Sequence, residues 1–533
     1  MNKDEKKQLR GILFRHLDGI AIGPTIAALY KKGICAYIQG NSHFTFQNIT
    51  KEFKVNEGYL NVGLRLLASQ GWLDRVIIKD GKDIDFNITE KGKKVFPLFS
   101  KYVDFFSFMP ASINLDPYLF NNKHFPHIDT LTSLITNLDN AKKQYNSIGT
   151  PEWETIIHLE GMIAGPFLVA FGMSNFFTDI IINKKNITKE LKNTSPLLQL
   201  CLDLFSTIDW IKNDRFTKKG EFFLKRASAY GVTVSYLPTF IETPALIYGN
   251  PSRLWDKQKD GAESHVNRRM NVWGSGGAHS IYFKKIDEII INIFNQPLKE
   301  QPLGIADMGC GDGTLLKHLY NVVKNNTLRG MHLKENPLKI LGADFNRAAR
   351  LASTITLSDA NIEHSILAGD ISDPTLYAKN LKTEFGLDLK DMLNVRSFLD
   401  HNRIYSPPKH SYEKRECNST GAFAYKGEWI KNTDLKQNLI EHFNKWKKVI
   451  GKFGLLILEL HTIDPIITAQ SLGRNVATAY DGTHGYSDQY IFEVETYLAA
   501  AKDAGLTSIL EHQAFFPNEK IATISINLFQ HQN

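Results

Sequence analysis

Three segments in the C-terminal half of the chain concentrate side chains that could move a proton or hold a metal ion. They read MLNVRSFLDHNRIYSPP, LILELHTIDP and TAYDGTHGYSDQYIF. Their polar side chains include Arg396, Asp400, His401, Asn402, Arg403, Glu459, His461, Asp464, Asp481, His484, Asp488 and Gln489. An imidazole oriented by a carboxylate can act as a general base, and the candidate catalytic residues are His401, Asp400 and His461. Two imidazoles with an acid or amide could instead hold a divalent ion such as Fe²⁺ or Mn²⁺. Spacing alone does not choose between these chemistries.

A glycine loop precedes these segments. The stretch DMGCGDGTLL runs from Asp307 to Leu316, between the short apolar run GIAD and the start of a helix at TLLKHLY. Glycines let the backbone turn sharply and approach a ligand, and the amides of a following helix point at that ligand. The loop therefore predicts a ligand site between a strand and a helix.

Further apolar runs end in polar residues in the same way. KILGADFN places Asp344 at the end of a predicted strand, HSILAGDISDP places Asp370 after another, and FGLLILELHT is a long apolar strand. Strands that alternate with helices predict an α/β, doubly wound, Rossmann-like domain with a mainly parallel sheet. Such sheets bind ligands beyond the carboxyl ends of their strands, where the three polar segments would also lie.

The glycine spacing favours one class of ligand. A dinucleotide site has the pattern GxGxxG, whereas in GCGDG the third glycine comes one position early and Thr314 stands in its place. An acid followed by GxGxG, as in DMGCGDG, resembles the first motif of the class I S-adenosylmethionine-dependent methyltransferases. The distance from Asp307 to Asp344 is longer than that family usually shows, which fits an insertion at NNTLRGMHLKENP.

This resemblance implies a role for each matching residue. Gly309, Gly311 and Gly313 would line the methionine and ribose end of S-adenosylmethionine, and Asp307 would lie near its ammonium group. Asp344 would accept hydrogen bonds from the ribose hydroxyls. Asp370 and Ile371 would face the adenine.

A narrower resemblance covers the C-terminal half. NVWGSGGAHSIYF, IADMGCGDGTLLKHLY, GADFN, GDISDP and VRSFLDHNR look like the C-methyltransferase domains of apratoxin-type bacterial polyketide synthases. The resemblance implies a malonyl- or methylmalonyl-type acyl substrate on an acyl carrier protein. Because some members hold a mononuclear metal, it also implies His401, His484 and Gln489 as metal ligands.

The N-terminal half contains an internal repeat. HLDGIAIGPTIAAL begins at His16 and HLEGMIAGPFLVAF at His158, and GWL and ITEKG of the first copy answer DWI and FTKKG of the second. In the first copy two helices (FTFQNITKEF and EGYLNVGLRLLASQG) precede two strands around an Asp-Gly turn, which predicts a winged helix. The second copy has the helix PLLQLCLDLF and a shorter wing. We predict two tandem winged-helix-like units.

A winged helix often binds DNA. Here the second helix of the first unit offers mainly Arg65 and Asn61 among apolar residues, so a buried packing or dimerising role is favoured over base recognition. Many small-molecule methyltransferases carry a winged helix of this kind ahead of the catalytic domain. In the connector that follows, Asn271–Ser280 is either a lid over a site or a hinge, and IYFKKIDEIIINIFNQ predicts a helix.

Composition excludes several classes. The 533 residues are 43% hydrophobic and 22% charged, which is ordinary for a globular protein of two or three domains. Four scattered cysteines without CxxC spacing predict reduced thiols and a cytoplasmic location. The apolar window at residues 161–182 is interrupted by Asn175 and Asp179, which favours a buried helix over a membrane span. A net charge of +7 permits an acidic partner without requiring one.

The predicted domains are winged-helix-like units at 1–125 and 126–245, a connector and lid helix at 246–300, and an S-adenosylmethionine-binding domain at 301–533. We expect a methyltransferase that acts on carbon of a polyketide-type acyl substrate, carrier-bound or free, in secondary metabolism. Neither nucleic acid nor membrane is an expected partner, and the winged-helix region offers a homodimer interface. One alternative is a small-molecule O-methyltransferase. Another is a winged-helix transcription regulator with a methyltransferase-like sensing domain.

Overall fold

The computed structural model describes residues 1–78, 83–121, 123–191, 194–255, 263–276, 279–409 and 417–532. Two compact units divide the chain. Unit 1 consists of Met1–Ala278, Ala422–Ile430 and Asp464–Asp488, and unit 2 consists of His279–Gly421, Lys431–Ile463 and Gln489–Asn533. Two short segments of the predicted 301–533 domain therefore belong to unit 1. The predicted boundaries at 125 and 245 remain predictions.

Unit 2 is built on a mixed sheet, and we number its strands in chain order. They are β1 (Gly304–Met308), β2 (Lys339–Asp344), β3 (His364–Ala368), β4 (Met392–Ser397), β5 (Leu455–Leu460), β6 (Leu506–Ser508), β7 (Ala514–Phe516) and β8 (Ile524–His531). Their order across the sheet is β6-β8-β5-β4-β1-β2-β3, with β7 paired to β8. The five strands from β5 to β3 run parallel, and β8 is antiparallel to its neighbours. This confirms the predicted doubly wound α/β domain.

Helices cover this sheet. They are His279–Phe294, Thr314–Asn326, Leu328–Met331, Arg347–Asp359, Pro374–Phe385, Asn432–Lys447 and Val494–Asp503. All five residues of β1 are buried, as expected for a central parallel strand covered on both faces. The chain order reverses on either side of β1, because β2 lies on one side and β4 on the other. Doubly wound sheets bind their ligands beyond the carboxyl ends of the strands at such a reversal, which here are the ends of β1 and β4.

Unit 1 is mainly helical. Its helices in the first half are Lys3–Lys31, Ile34–Gly40, Phe46–Glu52, Glu57–Ser69, Glu90–Val95, Phe99–Phe108, Asp116–Leu119 and Ile128–Gln144. Those that follow are Pro151–Ser174, Thr178–Ile182, Ile187–Glu190, Pro196–Thr207, Lys218–Leu224, Ser228–Ser235, Leu237–Ile241, Thr243–Tyr248, Arg268–Gly276, Pro465–Gln470 and Ala477–Gly485. Its strands are His43–Thr45, Leu73–Ile78, Asp83–Ile88, Ile211–Lys212, Arg215–Phe216, Phe423–Tyr425 and Glu428–Ile430.

Both winged-helix-like units form. In the first, two helices precede the hairpin Leu73–Ile78 and Asp83–Ile88, with His43–Thr45 as a third strand. In the second, the wing shortens to Ile211–Lys212 and Arg215–Phe216. The predicted turn at Asp80-Gly81 lies outside the described residues.

The helix Glu57–Ser69 is buried along its length from Gly58 onward. Arg65 is 2% exposed and pairs with Asp481 at 3.0 Å, and Asn61 accepts a hydrogen bond from Arg75. The two side chains that the sequence offered to DNA are therefore inside unit 1.

The repeated motif forms a helix crossing. Gly19 in the first copy lies against the backbone of His158, and Gly161 in the second lies against the backbone of His16. A Cβ on either glycine would stand 2.4 Å from the Cα of the facing histidine. Only glycine at these positions lets the two backbones approach so closely.

The histidines at the crossing have matching partners. His16 Nδ1 lies 2.7 Å from the Tyr230 hydroxyl, and His158 Nδ1 lies 2.9 Å from the Tyr102 hydroxyl. Each tyrosine follows the Lys-Gly pair of its own copy by the same number of residues. The two copies thus reproduce each other in contacts as well as in sequence.

The two crossing helices are long and apolar enough to span a membrane by length and composition. Within each of the helices Lys3–Lys31 and Pro151–Ser174, 89% of the most apolar 18-residue stretch is buried inside the protein. The second of these covers most of the window for which the sequence predicted a buried helix. All four cysteines lie in described segments, and none forms a disulfide there.

The start of the connector is a packed helix. Arg268–Gly276 packs against Ser228–Ser235, and the backbones are in contact at Gly274 and Gly231. A Cβ on Gly231 would stand 2.6 Å from the Cα of Gly274. Residues 271–276 are thus part of a packed helix, and the lid and the hinge both remain predictions, partly outside the described residues. The helix predicted after it extends over His279–Phe294.

Candidate active site

The glycine loop leaves an open approach to its backbone. Gly309, Gly311 and Gly313 have positive φ angles of 82°, 55° and 79°, which side-chain-bearing residues rarely adopt. A Cβ at Gly309 would meet Leu399 at 2.7 Å, whereas one at Gly311 would meet nothing within 4 Å. The loop is thus packed on one side and open at Gly311, just before the helix Thr314–Asn326.

Two carboxylates flank this loop at the ends of β1 and β2. Asp344 accepts hydrogen bonds from the Gly311 N–H at 3.1 Å and from the Asn346 N–H at 2.8 Å. Asp307 is 1% exposed, and its Oδ1 has no hydrogen-bond partner among the described residues. Such an orphaned oxygen beside an open backbone fits the ammonium group of the amino acid part of S-adenosylmethionine.

The end of β3 supplies the third predicted contact. Asp370 is exposed, and its Oδ1 accepts the Ser372 N–H at 2.7 Å. Ile371 is 8% exposed, and its carbonyl accepts the Trp446 Nε1–H at 3.0 Å. The three strand ends are neighbours, so the predicted cofactor residues lie along one edge of the sheet. Their roles toward the cofactor remain those that the resemblance implies.

The environment of Asp307 predicts a pH dependence of cofactor binding if this carboxylate holds the ammonium group. Burial, with a contribution from Asp344, raises the pKa of Asp307 to about 7. An ammonium ligand needs the ionised carboxylate, so S-adenosylmethionine affinity should rise as pH increases toward 7 and fall by up to about tenfold per unit below it. Titration calorimetry of the native chain and Asp307→Asn at about pH 5.5 and about pH 7.5 would measure this. Since both proteins see the same ligand, their affinity ratio cancels the ligand's own titration, and a ratio independent of pH would contradict the assignment.

A second polar group lies at the ends of β4 and β5. These strands are parallel neighbours, with Leu458 opposite Ser397. His401, 5% exposed, follows β4, and its Nδ1 lies 2.6 Å from Glu459 Oε1 on β5. Glu459 also accepts the Asp400 and Leu460 N–H groups at 2.6 and 2.7 Å. A carboxylate held so firmly directs the Nδ1 proton toward itself and leaves Nε2 as the basic nitrogen.

The partner of His401 is thus Glu459, which corrects the prediction that Asp400 belongs to the catalytic set. Asp400 is 1% exposed and lies 2.9 Å from Arg396, 3.1 Å from His442 and 2.5 Å from the Tyr497 hydroxyl. Although burial alone would raise the pKa of Asp400, Arg396 and His442 hold it below its ordinary value. Asp400 therefore remains ionised as the centre of a structural network.

His461 is likewise placed in a structural environment. It is fully buried, and its ring nitrogens lie 3.1 Å from the Phe492 carbonyl and 2.7 Å from the Ser525 hydroxyl. Burial lowers the pKa of His461 to about 4. Both nitrogens therefore have partners inside unit 2, and a catalytic role for His461 stays a prediction that this placement does not favour.

The predicted metal ligands are divided between the units. His401 and Gln489 belong to unit 2, and His484 belongs to unit 1, on the helix Ala477–Gly485. The segment around His484 is helical, with His484 Nδ1 at 2.8 Å from the Tyr480 carbonyl. Within the described residues, no three His, Cys, Asp or Glu side chains form a group that could hold a metal ion.

The sequence named Glu459 at the rim but did not single it out, because the pairing depends on which strands are neighbours. Asn402, also at the rim, places its amide Nδ2 at 3.2 Å from His401 Nε2. The only signal for either residue was its position just before or after the end of an apolar run.

Family models match most of the chain. A model described as AprA MT2-like domain matches residues 263–527, one described as AprA N-terminal domain matches 9–75, and one described as AprA winged helix domain matches 160–250. No curated protein matches the chain.

Several solved structures are similar at low identity. The S-adenosylmethionine-dependent methyltransferase SibL is 12% identical with a TM-score of 0.40, covering 69% of this chain and 96% of SibL. An O-methyltransferase family protein from Burkholderia thailandensis is 11% identical with a TM-score of 0.36, covering 68% and 95%. LepI in complex with S-adenosylmethionine is 12% identical with a TM-score of 0.34, covering 76% and 99%.

Proposed function

Since the chain belongs to the AprA MT2-like family of S-adenosylmethionine-dependent methyltransferases, we propose that it methylates a carbon atom of a malonyl-type acyl substrate with His401 as general base. Such a substrate carries an acidic proton on the carbon next to a carbonyl. In this proposal the protein acts in a biosynthetic pathway in the cytoplasm. Its acyl substrate is attached to a carrier protein or is a free thioester.

The observation that carries the proposal is the His401–Glu459 pair. It lies at the ends of β4 and β5, on the same edge of the sheet as the glycine loop after β1. Glu459 fixes the imidazole with Nε2 as the proton acceptor and stabilises the imidazolium that forms. Glu459 acts through His401 and is therefore a positioning residue.

The chemistry balances without further groups. S-adenosylmethionine supplies a methyl group on a positively charged sulfur. His401 Nε2 removes the proton next to the carbonyl, the electron pair of that carbon–hydrogen bond forms an enolate, and the enolate carbon bonds the methyl as the sulfur–methyl bond breaks. Loss of the thioether product and return of the proton from His401 to water complete the cycle.

Product analysis tests this function. Incubation with malonyl-N-acetylcysteamine thioester and the cofactor bearing a CD₃ group should yield a product with the label on carbon, identified by mass spectrometry and NMR. Labelling of oxygen would instead support the O-methyltransferase. The same reaction after chelator treatment addresses the predicted Fe or Mn ion, because full activity without metal supports the base mechanism and loss of activity supports the metal-assisted one.

A further inference from the structure

We propose that Asn402 binds the substrate carbonyl whose oxygen becomes the enolate oxygen, and we call Asn402 and Gln489 together the amide pair. Asn402 donates the hydrogen bond, and Gln489 holds Asn402 in position. This inference rests on the proposed function, in which His401 removes the neighbouring proton.

The amide pair is ordered around the basic nitrogen of His401. Asn402 Nδ2 lies 3.2 Å from His401 Nε2, and Gln489 Nε2 donates to Asn402 Oδ1 at 2.5 Å. The next residue, Tyr490, donates its backbone N–H to the His401 carbonyl at 2.9 Å. This hydrogen bond of the following residue holds the chain at Gln489 close to His401, and the Gln489 side chain orients Asn402. The carbonyl end of Asn402 is occupied by Gln489, and its Nδ2 lies 3.4 Å from the Phe398 carbonyl as well as 3.2 Å from His401 Nε2. One N–H group of the amide is therefore left to face His401.

Burial distinguishes Asn402 from its neighbours. His401 is 5% exposed and Arg403 is 3% exposed, whereas Asn402 between them is exposed. An amide needed only for packing would gain little from an exposed position with both ends ordered. Asn402 instead stands where a ligand can reach it, beside the base that the reaction uses.

The distances suit simultaneous contact of the amide and the base with one substrate. The carbonyl oxygen and the neighbouring carbon are about 2.4 Å apart, from standard C=O and C–C bond lengths. Donor and base are separated by 3.2 Å, so a carbonyl that accepts from Asn402 Nδ2 brings the acidic carbon within reach of His401 Nε2. The amide has two N–H groups, and substrate binding transfers one hydrogen bond from the imidazole lone pair to the carbonyl oxygen.

This arrangement acts where charge develops. As the carbon–hydrogen bond breaks, the proton goes to His401 Nε2 and the electron pair moves onto the carbonyl oxygen. That oxygen already accepts from Asn402, so the hydrogen bond strengthens in the transition state. Removing one such donor in other enzymes costs about 10²–10³-fold in turnover.

Deuterium exchange tests the amide pair apart from methyl transfer. The complete chain is incubated with malonyl-N-acetylcysteamine thioester in D₂O without cofactor, and enzyme-dependent exchange next to the carbonyl is followed by mass spectrometry. Asn402→Ala should lower both exchange and cofactor-dependent carbon methylation by about 10²–10³-fold, with cofactor affinity unchanged. Gln489→Ala should lower both rates by a smaller factor. Ile404→Ala, an exposed position in the same segment, should leave both rates unchanged.

Each other outcome is decisive. If the native chain catalyses both exchange and methylation, and Asn402→Ala does so at the same rates, the amide pair is overturned but the proposed function is kept. Parallel loss of rate, thermal stability and cofactor affinity in Asn402→Ala would assign a structural role and overturn it as well. Bound metal that disappears in Gln489→Ala would make Gln489 a ligand instead. Absence of exchange and carbon methylation in the native chain would remove the proposed function, and the amide pair with it.

Discussion

Replacing His401 with alanine should reduce carbon methylation by about 10²–10⁴-fold, the usual contribution of a positioned general base. Cofactor affinity should not change, because the contacts of the glycine loop and of Asp344 do not involve His401. Turnover and calorimetric titration with S-adenosylmethionine on the same preparation would separate the two effects. Turnover equal to that of the native chain would remove His401 from the mechanism.

The pair with Glu459 makes this prediction sharper. Glu459→Gln keeps the shape of the side chain but replaces one of its two acceptor oxygens with an NH₂ group. Because His401, Asp400 and Leu460 all donate to this carboxylate, the imidazole would lose its fixed orientation. If Glu459 acts through His401, the double variant that combines His401→Ala with Glu459→Gln should turn over no more slowly than His401→Ala alone. Additive losses would show an independent role for Glu459. Glu441→Gln in the same unit serves as the matched control, with native turnover and melting temperature expected.

The sheet and the cofactor edge could be predicted because their information is local. Each of β1 to β3 is a mainly apolar run with an acid at its end or within two residues of it. Strands that alternate with helices favour a parallel sheet with right-handed crossovers. The early third glycine in GCGDG argued against a dinucleotide, and the preceding acid and the later strand ends together gave the resemblance to the methyltransferases. The repeat was equally readable, since His16 and His158 begin nearly matching strings.

The catalytic pairing could not be read in this way. Asp400 precedes His401 in the chain, but its carboxylate accepts a hydrogen bond from Arg396. Glu459, which is far away in sequence, accepts the hydrogen bond from the His401 ring instead. Which carboxylate meets the ring depends on the register of β4 beside β5 and on side-chain direction at the strand ends. The interior position of His461 could not be predicted for the same reason, because a polar residue at a strand end can face the interior as well as the rim.

Non-local packing also explains why two segments belong to a different compact unit from their neighbours in sequence. Residues 464–488 follow β5 in the chain but belong to unit 1, where Asp481 pairs with Arg65 at 3.0 Å. Residues 422–430 form a hairpin in the same unit. No composition change marks these excursions, since both segments have the mixed polar and apolar character of the domain that surrounds them in sequence.

The helix crossing of the repeat should tolerate no side chain at Gly161. In Gly161→Ala the new Cβ would stand 2.4 Å from the Cα and 2.5 Å from the carbonyl oxygen of His16, and backbone atoms cannot rotate away as a side chain could. The helices must separate, at a cost of about 3 kcal/mol in the free energy of unfolding. Urea denaturation followed by tryptophan fluorescence suits the measurement, because six of the seven tryptophans lie in unit 1.

A matched glycine shows that the crossing, and not the loss of glycine, causes the effect. Gly40 lies at the end of the helix Ile34–Gly40, and a Cβ there would meet nothing within 4 Å. Gly40→Ala should therefore leave stability unchanged or raise it by up to about 1 kcal/mol, since alanine favours a helix more than glycine does. Gly19→Ala faces His158 in the same way and should match Gly161→Ala. If Gly161→Ala behaved like Gly40→Ala, the two helices could not be in backbone contact, and the repeat would have to be packed in some other way.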